Sequence, residues 1–281
     1  MNIIDPHLHL FNLDQGKYEW LQPGAEPNWL DKEKIFRNYS ENDLKLPENL
    51  ELSGFIHIEA GFDNEQPWCE LQWLEQHCSL PFRSIAFADM TSERFPEQLQ
   101  ELLGYQSLAG IRYILGENAA ELLSDSIFQK NLALLEESNL IFEAQFPFDQ
   151  CETVQLFIEV LTQRPKLKVV LNHVGLPSAL SQKWMDAVTA LAHLPECYVK
   201  CSGWEMQKRD WTVDSVKPYI GFVIRQFGLT RVMLASNFPV SELGCSYSDL
   251  WQRYFTEMKF KEVEKELLLH DTAQQVYGLQ D

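Results

Sequence analysis

The stretch Ile3-Ile4-Asp5-Pro6-His7-Leu8-His9, close to the N-terminus, is the most informative part of the chain. An apolar pair leads directly into two histidines that are separated by one residue. On an extended strand, residues at this spacing point to the same side. His7 and His9 therefore present two imidazoles together. Such a pair could hold a divalent metal or a polarised substrate group, or it could be two hydrogen-bonded structural histidines.

The composition indicates an acidic protein that does not bind nucleic acid. Of the 281 residues, 45% are hydrophobic and 12% aromatic, and the formal net charge is −18. This length allows one large α/β domain or two small ones. The negative field disfavours nucleic acid and anionic membrane surfaces as partners. No apolar run approaches the roughly 18 residues of a membrane span, and the N-terminus does not have the pattern of a signal peptide. Scattered cysteines without a Cys-x-x-Cys spacing are typical of reduced thiols and predict a cytoplasmic location.

Seven further apolar runs follow the first one and predict eight parallel strands in total. They lie at 54–59, 84–89, 108–114, 140–145, 167–172, 197–201 and 231–235. Nearly continuous hydrophobicity is typical of strands that are covered on both faces. Helical patterns separate the runs at 68–77, 95–103, 127–138, 153–163, 182–192 and 213–227, with predicted N-caps at Ser126, Ser181 and Asp214.

Alternating strands and helices over this length predict a single (β/α)8 barrel that spans residues 1–281. The competing fold is a doubly wound open sheet. It would place a glycine-rich phosphate turn after the first strand, where this chain has histidines. Residues 11–53 contain several aromatic side chains and are predicted to form a long, ordered and functional loop.

The active site of such a barrel lies at the C-terminal ends of its strands. Polar residues follow each predicted strand: His7, His9, Glu59, Asp89, Arg112, Gln145, Asn172, His173, Ser202, Trp204, Ser236 and Asn237. Taken singly, each could equally be a solvated or capping residue. His173 is the stronger candidate because it directly follows an apolar run. His57 alternates with isoleucines inside its strand, which favours a core role.

Several stretches carry a family resemblance: Ile4-Asp5-Pro6-His7-Leu8-His9, 58–61, 110–115, 171–177, 199–203, 231–240 and 272–279. In this order they resemble the amidohydrolase superfamily, and within it the lactonase-like group of 2-pyrone-4,6-dicarboxylate lactonase and sugar lactonases. The resemblance implies a TIM-barrel hydrolase. His7, His9 and His173 match residues that bind a divalent metal in some members and that position or polarise the substrate carbonyl in metal-independent lactonases. Arg112 could hold a substrate carboxylate with bidentate geometry.

Two positions depart from the family pattern. Asn237 stands where the superfamily usually has an aspartate that ligates metal and takes a proton from the attacking water. An amide is not a general base near neutral pH. Gln145 stands where metal-binding members often have a histidine. The sequence therefore does not predict a two-metal site. The chain is expected to hold one divalent metal, zinc before others, on His7, His9 and His173, or to work with a metal-free pocket.

The resulting hypothesis is a hydrolase of a small lactone, or of an ester or amide, of an acidic or polyhydroxylated compound. The predicted catalytic residues are His7, His9, His173 and Asn237, and the predicted substrate-binding residues are Glu59, Asp89, Arg112, Gln145 and Trp204. Glu59 and Asp89 are the candidates for the general base. The alternatives are a metal-dependent decarboxylase of the same superfamily and a catalytically silent barrel that binds a metabolite. A small molecule is the expected partner, and assembly into a homo-oligomer stays open.

Overall fold

Eight strands form one parallel sheet in chain order, in a computed structural model that describes residues 1–279. The strands are β1 (Asn2–Leu8), β2 (Glu51–Ile58), β3 (Phe82–Phe87), β4 (Leu108–Ile114), β5 (Ile141–Gln145), β6 (Val169–Leu171), β7 (Cys197–Cys201) and β8 (Val232–Leu234). Each predicted apolar run coincides with one of them. The assignment of the chain to one domain over residues 1–281 stays a prediction.

Backbone bonds between β1 and the residues after β8 close this sheet into a barrel. The His9 N–H donates to the Phe238 carbonyl oxygen at 2.7 Å, and the Asn237 N–H donates to the His7 carbonyl oxygen at 2.8 Å. Leu8 and Phe238 also form a parallel bridge. The predicted (β/α)8 barrel is therefore confirmed, and the doubly wound open sheet was the wrong alternative.

Helices surround the barrel and connect its strands. They are α1 (Trp68–His77), α2 (Phe95–Leu102), α3 (Ala119–Ser124), α4 (Ser126–Glu137), α5 (Cys151–Thr162), α6 (Gln182–Leu191), α7 (Trp204–Gln207), α8 (Val213–Phe227), α9 (Tyr247–Gln252), α10 (Glu262–Glu266) and α11 (Thr272–Tyr277). Two π-helical segments, Arg253–Glu257 and Leu267–Asp271, follow α9 and α10. No helix between residues 1 and 279 is both long and apolar enough to cross a membrane.

The predicted helix starts needed two corrections. The Asp125 carboxylate accepts the N–H groups of Ile127 and Phe128, so Asp125 and not Ser126 is the N-cap of α4. Thr212, and not Asp214, caps α8. In both cases the residue just outside the helix has the extended backbone that lets its side chain reach the first free N–H groups. Ser181 caps α6 as predicted.

The barrel interior at the N-terminal ends of the strands is apolar and is covered by the C-terminal helix α11. Isoleucines from β1, β2, β3 and β5 pack there with Val170 and Met233, and α11 adds Val276 and Tyr277 to the same cluster. This packing gives the barrel a solid floor, so the free space lies at the opposite end, where the strands end.

The long connection between β1 and β2 is ordered and packed by aromatic rings, as predicted. Phe11 contacts Tyr18 and Tyr39 at ring-centroid distances of 5.3 and 5.6 Å. The buried ammonium of Lys32 donates to the carbonyl oxygens of Trp20 and Ala25 at 2.7 and 2.6 Å. These bonds fold the loop over the mouth of the barrel.

Candidate active site

Three histidines meet at the C-terminal mouth of the barrel. The rings of His7 and His9 have centroids 5.2 Å apart, and those of His7 and His173 are 4.6 Å apart. His7 and His9 lie at and just after the end of β1, and His173 begins a short 3-10 helix after β6. The alternation and strand order predicted from the sequence therefore bring these three side chains together.

Hydrogen bonds fix the rings of two of these histidines. His9 Nδ1 lies 2.8 Å from the Ile58 carbonyl oxygen. A carbonyl only accepts, so Nδ1 carries the proton and Nε2 keeps a lone pair. His173 Nδ1 lies 2.9 Å from the Ser202 hydroxyl, which can donate or accept. His173 therefore can present either a donor or an acceptor at Nε2.

Burial keeps the three imidazoles neutral. It is the largest cause that lowers the pKa of His7, His9 and His173 well below 6.5. The positive charge of Arg112 acts in the same direction on all three, and that of Lys200 on His7 and His173. Both ring nitrogens of His7 lack a hydrogen-bond partner within residues 1–279. A neutral imidazole has one donor and one acceptor, so His7 carries two buried polar atoms that no described residue satisfies.

Glu59 and Arg112 form a buried ion pair beside the histidines. Arg112 Nε donates to Glu59 Oε1 at 2.7 Å, and Nη2 donates to the Glu59 carbonyl oxygen at 2.8 Å. Burial raises the pKa of the Glu59 carboxyl, and the Arg112 charge opposes that effect. The guanidinium is thus already engaged, which weakens the idea that it holds a substrate carboxylate by itself.

Asn237 follows β8 with its backbone in the left-handed region, at φ 60°. Asparagine tolerates this conformation better than most residues. Its Nδ2 donates to the Oε1 of Glu205 at 2.5 Å. Glu205 lies in α7, is fully buried, and has a pKa raised to about 7 by burial. Sequence reasoning missed Glu205, although it stands directly after Trp204 in the segment following β7.

A cavity of about 690 Å³ is bordered by His9, Glu59, Arg112, His173 and Asn237, whereas His7 and Glu205 are not among its wall residues. Its walls are formed by residues in or after the C-terminal ends of all eight strands and by the loop after β1: His9, Trp20, Glu26, Pro27, Trp29, Glu59, Ala60, Gly61, Asn64, Phe87, Arg112, Tyr113, Ile114, Gln145, His173, Leu176, Met206, Gln207, Asn237 and Val240. A volume of this size accommodates a small metabolite. Gln145 projects into the wall as predicted, and its Oε1 has no partner in the described part of the chain.

Two predicted substrate-binding residues do not reach this cavity. Asp89 borders a separate groove, and its carboxylate accepts from the N–H and hydroxyl of Thr91 at 3.0 and 2.6 Å. Trp204 is buried, and its indole N–H donates to the Tyr254 hydroxyl at 2.8 Å. The Asp89 carboxylate stabilises a local turn, and the Trp204 ring packs in the layer outside the strands. Neither is brought to the histidines.

A second buried ion pair lies within the barrel, and sequence reasoning missed it. Lys200 on β7 donates to both carboxylate oxygens of Glu143 on β5 at 2.7 Å, and the Tyr277 hydroxyl donates to the same carboxylate at 2.6 Å. Burial lowers the pKa of Lys200 to about 8. Both residues alternate with apolar neighbours in their strands, a pattern that can indicate inward-facing charges.

The residues present do not form a metal-binding set. No group of three or more histidine, cysteine, aspartate or glutamate side chains converges as ligands within residues 1–279. The three histidines are close, but the fourth position is the amide of Asn237, and the nearby carboxylate of Glu59 is bound to Arg112. Zinc sites usually have three or four converging donors of the histidine, cysteine or carboxylate type.

Comparison with known proteins gives the family. The amidohydrolase family model matches residues 4–279. An uncharacterized protein, y4mH, of Sinorhizobium fredii is 30% identical over 98% of both chains. An L-fucono-1,5-lactonase of Burkholderia multivorans is 24% identical, over 98% of this chain and 96% of its own.

Solved structures of low identity share the fold. An amidohydrolase from Burkholderia multivorans with bound zinc has a TM-score of 0.81 at 21% identity, with both chains fully covered. A Pseudomonas putida protein named putative 2-pyrone-4,6-dicarboxylic acid hydrolase has a TM-score of 0.74 at 18% identity, over 98% of this chain and 97% of its own. A 2,6-dihydroxybenzoate decarboxylase has a TM-score of 0.65 at 12% identity, over 99% of both chains. The family match over nearly the whole chain confirms the resemblance noted in the sequence: this chain belongs to the amidohydrolase family and is a hydrolase.

Proposed function

We propose that the protein hydrolyses the ring ester of a small, uncharged and hydroxylated lactone. The observation that carries this proposal is the charge balance of the cavity. Arg112 is the one lysine or arginine among the described wall residues, and it is bound to Glu59, while Glu26 adds a further negative charge. A lactone with two carboxylates would need cationic partners that this wall does not offer.

The remaining polar groups of the wall suit hydroxyl groups. Four carboxamides border the cavity: Asn64, Gln145, Gln207 and Asn237. An amide donates and accepts without charge, which matches an alcohol better than a carboxylate. The rings of Trp20 and Trp29 meet edge to face, with centroids 6.5 Å apart, and supply apolar surface. A compact molecule with both hydroxyl groups and C–H faces is the best match.

The proposed chemistry starts with polarisation of the lactone carbonyl. Ser202 can donate to His173 Nδ1, which leaves the Nε2–H of His173 as a donor to the carbonyl oxygen. The guanidinium of Arg112 supplies positive charge nearby. Hydrogen-bond donors that are already in place when negative charge develops on the carbonyl oxygen lower the activation barrier for attack by water. His9, with its Nε2 lone pair towards the cavity, accepts a hydrogen bond from that water.

Glu59 is the proposed general base. It borders the cavity, and burial raises its pKa towards the range where a carboxylate accepts a proton effectively. Water forms the new C–O bond while Glu59 takes its proton. The ring C–O bond then breaks, and the departing alkoxide takes the proton from Glu59. The product is a hydroxy acid. No step uses a metal, because the present side chains do not converge as ligands.

A substrate panel tests this function. Glucono-δ-lactone, δ-valerolactone and a lactone with two carboxylates are each offered to the protein, and acid release is followed with a pH indicator. We expect turnover of the two uncharged lactones above the uncatalysed rate and little turnover of the dicarboxylate. Preference for the dicarboxylate, or carbon dioxide release from hydroxybenzoates without any lactone turnover, would overturn the proposal. Glu48→Gln changes an exposed glutamate and is the control variant, which should show the same turnover as wild type.

A further inference from the structure

Glu205 is a buried carboxylate that the chemistry above does not use. It is fully inaccessible to solvent and does not border the cavity. One oxygen, Oε1, accepts from Asn237 Nδ2 at 2.5 Å, and the other, Oε2, has no partner among residues 1–279. Its own backbone carbonyl accepts from the guanidinium of Arg209. Asn237 is therefore the side chain through which Glu205 can influence the cavity.

The contact fixes which end of the Asn237 amide faces the cavity. Above the Glu205 pKa of about 7 the side chain is an ionised carboxylate, which can only accept. At such pH values the NH2 group of Asn237 must point to Glu205 and the Oδ1 atom must point away from it. The Asn237 backbone is held independently, since its N–H donates to the His7 carbonyl oxygen and its carbonyl oxygen accepts from the Ser241 N–H. Only rotation of the amide itself is left to choose between donor and acceptor.

We propose that Glu205 is a positioning residue that holds Asn237 with its carbonyl oxygen towards the cavity, where this oxygen accepts from a substrate hydroxyl. The inference rests on the proposed lactone hydrolysis and adds a specificity determinant to it. A cavity wall with four carboxamides can mismatch a polyol if any amide is turned the wrong way. The carboxylate of Glu205 removes that ambiguity at position 237.

The replacement Glu205→Gln keeps the size of the side chain but removes this control. Glutamine offers both a donor and an acceptor, so the Asn237 amide can bond to it in either orientation. At pH 8, where Glu205 of the wild type is mostly ionised, we expect kcat/KM for glucono-δ-lactone to fall about tenfold, the scale of one lost hydrogen bond. For δ-valerolactone, which has the same ring size and no hydroxyl groups, kcat/KM should stay within about twofold of the wild-type value.

A double replacement provides the rescue. In Glu205→Gln/Asn237→Asp, the glutamine NH2 can donate to one aspartate oxygen, and the other oxygen again faces the cavity as an acceptor. We expect the preference for glucono-δ-lactone over δ-valerolactone to return to within about threefold of wild type. The rescue separates amide orientation from a general loss of packing, because both variants change the same buried contact.

The outcomes are distinct. An equal loss for both lactones in Glu205→Gln, with no rescue in the double variant, would show that Glu205 only supports the fold and would overturn the inference. If Glu205→Gln does not fold, Glu205→Met gives the second test, because it removes the carboxylate without adding a competing polar group, and the loss of turnover must again be larger for the hydroxylated lactone. Wild-type protein that hydrolyses neither lactone would instead contradict the proposed function, and the two failures cannot be confused.

Discussion

Replacement of Glu205 by glutamine is expected to change how the free energy of unfolding depends on pH. Burial raises the pKa of this carboxyl from 4.5 to about 7 in the folded protein. Since one pKa unit corresponds to about 1.4 kcal/mol, keeping Glu205 ionised costs the folded state about 3 kcal/mol relative to the unfolded chain. Its hydrogen bond from Asn237 is already included in that balance.

The sign follows from proton uptake. Between about pH 4.5 and pH 7 the folded state holds a proton on Glu205 that the unfolded state has released. The contribution of this group to stability is therefore complete below pH 4.5 and is lost as the pH rises through 7. Glutamine does not titrate. The stability of Glu205→Gln relative to wild type should thus increase by about 3 kcal/mol from pH 4.5 to pH 8.

Urea unfolding at several pH values, followed by circular dichroism, measures this difference. Asp5, whose pKa is raised to about 6 by burial, gives wild type and variant the same additional slope and cancels in the comparison. The control Glu48→Gln changes an exposed side chain and should show no pH-dependent difference. A constant offset between Glu205→Gln and wild type across the whole pH range would refute the argument, because it would mean that Glu205 titrates alike in both states.

Three other predictions concern the barrel interior and its mouth. Lys200→Met should lower the free energy of unfolding by about 3–5 kcal/mol, because it leaves the buried Glu143 carboxylate without its cation. The double variant Lys200→Met/Glu143→Leu should recover most of the lost stability. Equal urea midpoints for Lys200→Met and wild type would contradict this prediction. His7→Ala, His9→Ala and His173→Ala should each reduce lactone turnover by about 100-fold with an unchanged circular dichroism spectrum; near-wild-type rates in all three would make these histidines structural. Asn237→Asp should bind zinc more tightly than wild type in calorimetry, because it adds an anionic oxygen beside the histidines. Equal zinc affinities for the variant and wild type would show that residue 237 does not face the histidines.

The barrel and much of its mouth could be predicted from the sequence because both follow from simple periodicities. Parallel strands buried on two faces require continuous apolar runs, and all eight runs coincide with strands. A strand end fixes the direction of the side chain that follows it, so His9, Glu59, Arg112 and Asn237 reach one cavity. His57 bonds Glu70 inside the fold at 3.1 Å, in agreement with the predicted core role.

The rest of the site depends on backbone turns that a pattern does not reveal. Asp89 follows its strand by two residues, and a local turn directs its carboxylate to Thr91. Glu205 lies three residues beyond Ser202, and the left-handed Gly203 turns the chain so that Glu205 points back towards β8. The tryptophans of the cavity come from the loop after β1, whose course is set by tertiary contacts such as those of Lys32.

The most direct test of the central claim is the rate of glucono-δ-lactone hydrolysis by metal-depleted wild-type protein and by its Glu59→Gln variant. Both proteins are dialysed against a chelator and checked for zinc, and Glu48→Gln is treated in parallel. The account predicts that wild type and Glu48→Gln hydrolyse the lactone well above the uncatalysed rate, and that Glu59→Gln loses at least about 100-fold of this activity. Equal rates for wild type and Glu59→Gln, or activity that appears only when zinc is added back, would contradict it.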